Sequence, residues 1–221
     1  MRKLKISKPS YFAAASIAAK KKKASDNFYC WNNGVLIEPI KGGGIFIVAT
    51  DGFKMAVFHN KGGYANEQMI LPMSNNLFKA TKYYKGCEDN NFRIEVEEDN
   101  LLRVLDDTGG EGHNLIHCEE FKPIDANYPD WRKVIPEEKK VKPKTDKISC
   151  FDPDKIGAFG RMATVAFGNY TSSIRIIDYG LEEKPSLIVM DKKEWFGVLM
   201  PLRDEGVGWN IPFELHKDTS K

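Results

Sequence analysis

One arrangement of short runs, a strand, a helix and then three strands, recurs three times along this chain, and a repeat of that size fixes the architecture before any single residue is weighed. The first copy opens with Lys3–Ile6 as a strand. It continues with a helix over about residues 10–24 and ends in the strands Val35–Glu38, Ile45–Ala49 and Lys54–His59, with Phe28–Trp31 as a further strand-like run. Asn32-Asn33-Gly34 and Gly42-Gly43-Gly44 lie between strands and carry hairpin chemistry. The second copy runs from strand Gln68–Leu71 through a serine-capped helix Ser74–Tyr84 to strands Phe92–Val96, Leu101–Leu105 and Asn114–Cys118. The third takes Lys147–Phe151, a helix over Pro153–Ala166, and strands Ser173–Ile177, Ser186–Met190 and Trp195–Met200. Period-2 and period-3.6 patterns alternate throughout, so the fold class is α+β, with few helices and much antiparallel sheet. The charged run EEKKVKPKTD, residues 137–146, is an expected linker between copies two and three, and residues 204–221 form a tail.

The first helix carries the chain's most uneven charge. Pro9-Ser10 suits a helix start, Phe12 and Ile17 are its bulky apolar anchors in an alanine-rich run, and Lys20, Lys21, Lys22 and Lys23 fall where cations suit the end of a helix. The whole chain has 33 Lys plus Arg against 31 Asp plus Glu, a net +2 that by itself points to no charged partner. Residues 1–25, however, hold eight cations and no acid, which leaves the remainder at −6. Copy two sets Lys79, Lys82 and Lys85 at i, i+3 and i+6 on its helix, and copy three sets Lys155 and Arg161 on its own. Basic helices on an otherwise acidic protein point to phosphate contacts that position a nucleic acid without reading its sequence.

Other chemistries find little support. Met1–Lys23 imitates a signal peptide, but Pro9-Ser10 opens the apolar run and four lysines stand where a cleavage region is small and neutral. No stretch approaches the roughly 20 apolar residues of a membrane span. Cys30, Cys87, Cys118 and Cys150 are widely spaced, without a C-x-x-C, as expected of reduced thiols in a cytoplasmic protein. There is no G-x-S-x-G, P-loop or G-x-G-x-x-G, and the paired acids Asp106-Asp107 and Glu97-Glu98-Asp99 sit at strand ends as solvated turns do. His113, His117 and Cys118 have a ligand-like spacing but fall short of the four ligands that zinc prefers, so incidental histidines on a half-exposed strand are the expected reading. We expect neither catalysis nor a cofactor.

Three segments remain. ATDGFKMAV (49–57) is a strand that breaks at Asp-Gly and restarts, YPDWRKVIP (128–136) alternates apolar and basic residues between two prolines, and VLMPLR (198–203) closes the last strand. They resemble, in order, the ATDGHRLAV, FPDYRRVLP and VMPMRL segments of the bacterial DNA polymerase III beta subunits, the DNA sliding clamps. The resemblance covers residues 8–203. Family chains carry three domains of two helix-plus-strands halves each. The resemblance therefore implies the clamp fold, with a complete domain at 1–136, a half-domain at 147–203, and a shortened form of phage or mobile-element type.

That resemblance implies a ring whose helices face duplex DNA through phosphates, with Lys20, Lys21, Lys22, Lys23, Lys79, Lys82 and Arg161 on the inner face. It also implies an apolar cleft for short linear motifs of the polymerase and the clamp loader. The matching positions are Thr50, Gly52, Phe53, Lys54, Met55, Pro129, Lys133, Val134, Val198, Leu199, Met200, Pro201 and Leu202. The family has His and Arg where Phe53 and Lys54 stand, so peptide preference is expected to differ. A family ring holds about twelve halves, so chains of three close as a homo-tetramer, or as a trimer if the third copy is larger. A monomeric peptide-docking module or clamp mimic is the alternative, and a metal enzyme using His113, His117 and Cys118 the third.

Overall fold

The first two copies exchange strands, and that exchange sets the topology. The structure is a computed structural model that describes residues 3–18, 34–80, 92–106, 114–136, 149–167, 173–178, 184–190 and 193–202. Unit one comprises β1 (Leu4–Ser7), α1 (Lys8–Ile17), β2 (Gly34–Pro39), β3 (Ile45–Thr50) and β4 (Lys54–Asn60), followed by the short β5 (Tyr64–Ala65). Unit two comprises β6 (Met69–Pro72), α2 (Asn75–Ala80), β7 (Phe92–Val96), β8 (Leu101–Asp106) and β9 (Asn114–Glu120). Unit three comprises α3 (Pro153–Phe167), β10 (Arg175–Ile177), β11 (Ser186–Val189) and β12 (Trp195–Leu199). Of its expected leading strand, Lys147 and Ile148 lie outside the described residues, and Cys150 forms a bridge with Leu202.

All strand pairs are antiparallel. One sheet has the order β5-β1-β7-β8-β9 and the other β10-β11-β12-β4-β3-β2-β6. The first strand of unit one thus lies beside the second strand of unit two (Ile6 opposite Ile94), and the first strand of unit two beside the second strand of unit one (Leu36 opposite Ile70). Unit three joins differently. Its last strand β12 runs against the last strand of unit one, from Trp195 opposite Phe58 to Leu199 opposite Lys54.

The seven-stranded sheet is buried on both faces, which is why β2–β4 read as nearly continuous apolar runs. Ile37, Ile47, Ala49, Ala56, Phe58 and Leu199 face α1 and α3 in the main core. Leu36, Val48, Met55, Val57 and Val198 face the other way, under a strap of residues 121–135 anchored by Trp131. Alternation along one strand assigns neighbours to opposite faces, so Val198 and Leu199 belong to different cores.

Helix α1 departs from expectation in length and in burial. It ends at Ile17, with no basic residue in its last turn, so Lys20–Lys23 do not occupy the last turn of the described helix and lie outside the described residues. Tyr11, Ala13, Ala14 and Ile17 are wholly buried. Tyr11 is thus a third anchor, its hydroxyl donating to the Pro72 carbonyl at 3.2 Å. The alanines have a packing reason: α1 meets β3, β4 and α3 at once, and only small side chains permit approach on so many sides. α3 buries Ala158, Phe159, Met162 and Ala163, and its Phe159 ring lies over Gly197 of β12, where an added Cβ would stand 2.4 Å from Cε1. In α2, Ser74 caps the helix by accepting from the Leu77 N–H at 2.9 Å.

The run Phe28–Trp31, the 137–146 linker and the 204–221 tail lie outside the described residues. Among those described, no helix is long and apolar enough to cross a membrane.

Candidate functional site

The turn between β3 and β4 is pinned from within. Thr50 Oγ1 donates to the Lys54 carbonyl at 2.8 Å and accepts from the Gly52 N–H at 3.0 Å. Asp51 Oδ1 accepts from the N–H groups of Phe53 and Lys54, each at 2.9 Å. Gly52 takes φ +90°, a backbone conformation that strains any side-chain-bearing residue. The turn is tied to the chain's C-terminal segment by the Met200 N–H, which donates to the Phe53 carbonyl at 2.9 Å.

The strap supplies the opposite wall. Asp130 caps a single 3-10 turn, Trp131–Val134, by accepting from the Arg132 N–H at 3.3 Å. The Trp131 indole donates to Glu38 Oε2 at 3.0 Å, Arg132 pairs with both Glu38 oxygens, and the guanidinium lies 4.1 Å from the Trp131 ring centre. The hydrogen bond from Arg132, aided by the indole, holds Glu38 below the ordinary carboxylate range against the opposing effect of burial. Tyr128 donates to the Val48 carbonyl at 3.3 Å, and burial pushes its phenol well above its ordinary value.

Between these walls lies a groove of about 190 Å³ lined by Thr50, Gly52, Phe53, Met55, Tyr128, Pro129, Asp130, Trp131, Val134, Val198 and Met200. It is smaller than the ~300–1,000 Å³ of a typical small-molecule pocket and suits an apolar side chain presented by a peptide. Its floor, Met55, Val198 and Met200, is apolar and deformable. At the rim Phe53 is 55% exposed, and Lys155 Nζ from α3 sits 4.1 Å from its ring centre.

The structure brings together eight of the thirteen positions expected of the cleft: Thr50, Gly52, Phe53, Met55, Pro129, Val134, Val198 and Met200. Leu199 is a correction, because strand alternation turns it into the core with α1 and α3. Lys54 is another. It points back beneath the turn, where Nζ donates to the Ile17 carbonyl at the end of α1 (3.0 Å) and pairs with Asp51. Lys133 extends into solvent beside Asp130, and Pro201 and Leu202 lie beyond the groove, where the Leu202 N–H donates to the Cys150 carbonyl. Tyr128, Asp130 and Trp131 line the groove without having been singled out, although two aromatics inside an alternating, proline-framed motif were signal enough.

The expected DNA-facing residues are less gathered. Lys20, Lys21, Lys22, Lys23 and Lys82 lie outside the described residues. Lys79 is exposed in the last turn of α2, and Arg161 is exposed on α3 with Asp154 and Thr164. Between Ser10 and Ala18, α1 shows solvent only Ser10 and Ser16. His113 is also outside, and His117 Nε2 contacts Glu119 Oε2 at 3.0 Å. Among the described residues no three potential ligands cluster around a common point.

No protein-family model matches the sequence. No curated protein matches it either. Solved structures do. A DNA polymerase sliding clamp from Pseudomonas aeruginosa with ligand resembles it at 15% identity and TM-score 0.53, over 91% of this chain and 66% of that one. A sliding clamp from Bartonella birtlesii bound to griselimycin does so at 15% identity and TM-score 0.56, with the same coverage. The DNA polymerase III subunit beta from Borrelia burgdorferi does so at 14% identity and TM-score 0.56, over 90% of this chain and 64% of that one. The chain therefore has the sliding-clamp fold, and it spans just under two thirds of the length of those solved proteins.

Proposed function

We propose that this protein is a sliding clamp: a non-enzymatic processivity factor that encircles duplex DNA as a homo-oligomeric ring and docks polymerase and clamp-loader peptides. The observation that carries the reading is the groove, since three segments far apart in sequence, 50–55, 128–134 and 198–200, converge on one apolar site at the joint between units one and three. Such a site selects peptides by apolar anchors, and its methionines accept more than one sequence. Cations on the helices contribute weak, salt-screened phosphate contacts, and a closed ring converts weak contacts into sliding.

The groove alone equally fits a clamp-fold module that docks peptides without encircling DNA. Retention on nicked circular DNA, lost on linearisation, separates the two. Under the ring reading, Lys21→Glu with Lys22→Glu lowers that retention and leaves affinity for a fluorescein-labelled polymerase-tail peptide unchanged. Equal retention on circular and linear DNA sinks it.

A further inference from the structure

The groove lies where the chain leaves the described structure. Met200 lines its floor, and two residues later the Leu202 N–H donates to the Cys150 carbonyl at 2.7 Å, after which residues 203–221 continue the sequence. The last strand leaves the continuing chain few places to go. β12 has β11 on one edge and β4 on the other, so no further strand can be added beside it. Its Leu199 face is filled by α1 and α3, whereas its Val198 face opens into the groove. That opening is apolar beyond its walls as well. Of the seven large apolar residues left exposed among the described residues, Phe53 and Val134 stand at the groove and Leu202 two residues from Met200. Apolar surface gathered in this way marks a place that something covers.

The residues that follow are patterned to cover it. Trp209, Ile211, Phe213 and Leu215 alternate with Asn210, Pro212 and Glu214, which is the period of an extended segment with one apolar face. Pro212 does not suit a helix interior and biases Ile211 toward extended backbone. Six residues, 203–208, separate this segment from Leu202, ~20 Å of chain at ~3.3 Å per residue, and Gly206 and Gly208 among them suit a reversal of direction. Met200 is two residues, about 7 Å, from Leu202, so a returning tail reaches the groove with length to spare. Charge does not oppose the return. Residues 204–215 hold three acids and no Lys or Arg, and the rim carries Lys133 and Lys155.

We infer that the tail of this chain is the groove's resident occupant: residues 209–213 return over the site from which they emerge, bury their apolar face against Met200, Val134 and Phe53, and must be displaced before an outside peptide docks. This rests on the groove being a peptide site, as proposed above, and it adds a threshold to that function. With an effective concentration of ~1 mM for so short a tether, a tail whose free affinity is ~0.1 mM fills the groove roughly nine-tenths of the time and weakens an outside peptide about tenfold. Only peptides that outcompete the tail dock, and between encounters the apolar floor is not left open to water.

The full chain is compared with its Trp209→Ala, Phe213→Ala form, with a fluorescein-labelled synthetic peptide of residues 204–221 as the probe. The peptide should bind the double variant roughly tenfold tighter than the unaltered chain, and Val134→Asp, at an exposed rim position, should abolish that binding. With methyl-labelled methionine, the NMR signals of Met55 and Met200 should differ between the two forms at every concentration, while that of Met162 in the main core stays in place. Equal affinity for the two forms, no binding to either, binding indifferent to Val134→Asp, or unmoved Met55 and Met200 signals would each overturn the inference. So would a shift that fades on dilution, since the occupant would then be the tail of a second copy. A labelled polymerase-tail peptide separates the inference from the function beneath it. If that peptide binds neither form while the 204–221 peptide behaves as expected, the tail covers the groove and the docking function falls. If it binds both forms equally and the 204–221 peptide binds neither, docking stands and the tail lies elsewhere. Because an outside peptide competes with the tail, groove substitutions such as Met200→Ala show their full effect on peptide affinity in the Trp209→Ala, Phe213→Ala background.

Discussion

Leu199 and Met200 are adjacent, both apolar and both part of one motif, yet the structure assigns them to different tasks, and truncating each to alanine tests that assignment. Leu199 is wholly buried among α1, α3 and the inner face of the seven-stranded sheet. Its loss removes three buried carbons and leaves a cavity under the β12–β4 joint, for which ~2–5 kcal/mol of stability is the expected cost. Met200 is half-buried on the groove floor, with its backbone held by the Phe53 carbonyl. A bound peptide that covers ~60 Å² of its side chain would gain about 1.5 kcal/mol there, at ~25 cal/mol per Å². Met200→Ala should therefore weaken a labelled polymerase-tail peptide by roughly tenfold, read by fluorescence anisotropy. Leu199→Ala should lower the urea midpoint, followed by tryptophan emission, with near-native peptide affinity wherever the protein remains folded. Loss of peptide affinity in a Leu199→Ala protein of native stability would refute the division of faces. Unchanged affinity in Met200→Ala would mean that peptides dock elsewhere.

Two further perturbations read the scaffold. Gly197→Ala places a methyl group 2.4 Å from the Phe159 ring, so α3 must shift, and a lowered urea midpoint worth ~1–3 kcal/mol is expected; an unchanged midpoint would show that α3 does not seat on β12 as described. The folded state holds Glu38 below its ordinary value of 4.5, so the unfolded chain binds more protons and stability falls as pH drops through the acid range; Glu38→Gln should flatten that part of the urea-midpoint profile, and an unchanged slope would place the acid sensitivity elsewhere.

Most of the fold was legible because the repeat was legible. The strands at β2, β3, β4, β7, β8 and β12 fall within a residue or two of expectation, since each carries a continuous or alternating apolar run bounded by Gly, Asn or Asp. The exchange of β1 and β6 was not legible, because period-2 patterning says which face of a strand is buried and nothing about which strand lies beside it. The end of α1 was misread for a specific reason. The lysine run suits a helix terminus, but the Ile17 carbonyl is already satisfied by Lys54 from another strand, a contact 37 residues away in sequence. Within the groove, motif resemblance named three segments that converge in the structure. It could not sort residues by face, and so it admitted Lys54 and Leu199 while passing over Trp131, whose indole and ring hold the strap against Glu38 and Phe46.

A peptide docked in the groove would be coupled to the joint between β12 and β4. The groove's walls come from unit one, from the strap after unit two and from unit three, and Met200 reaches it only because β12 is paired with β4. Anything that opens that joint removes Val198 and Met200 from the floor, and a peptide that binds the intact groove holds the joint closed by the same free energy. The groove is built from the segments of a single chain, so peptide-to-chain stoichiometry by calorimetry should be one. Two sites per chain would mean that a second surface also binds peptide, and the strap would then lose its place as the wall that defines the site.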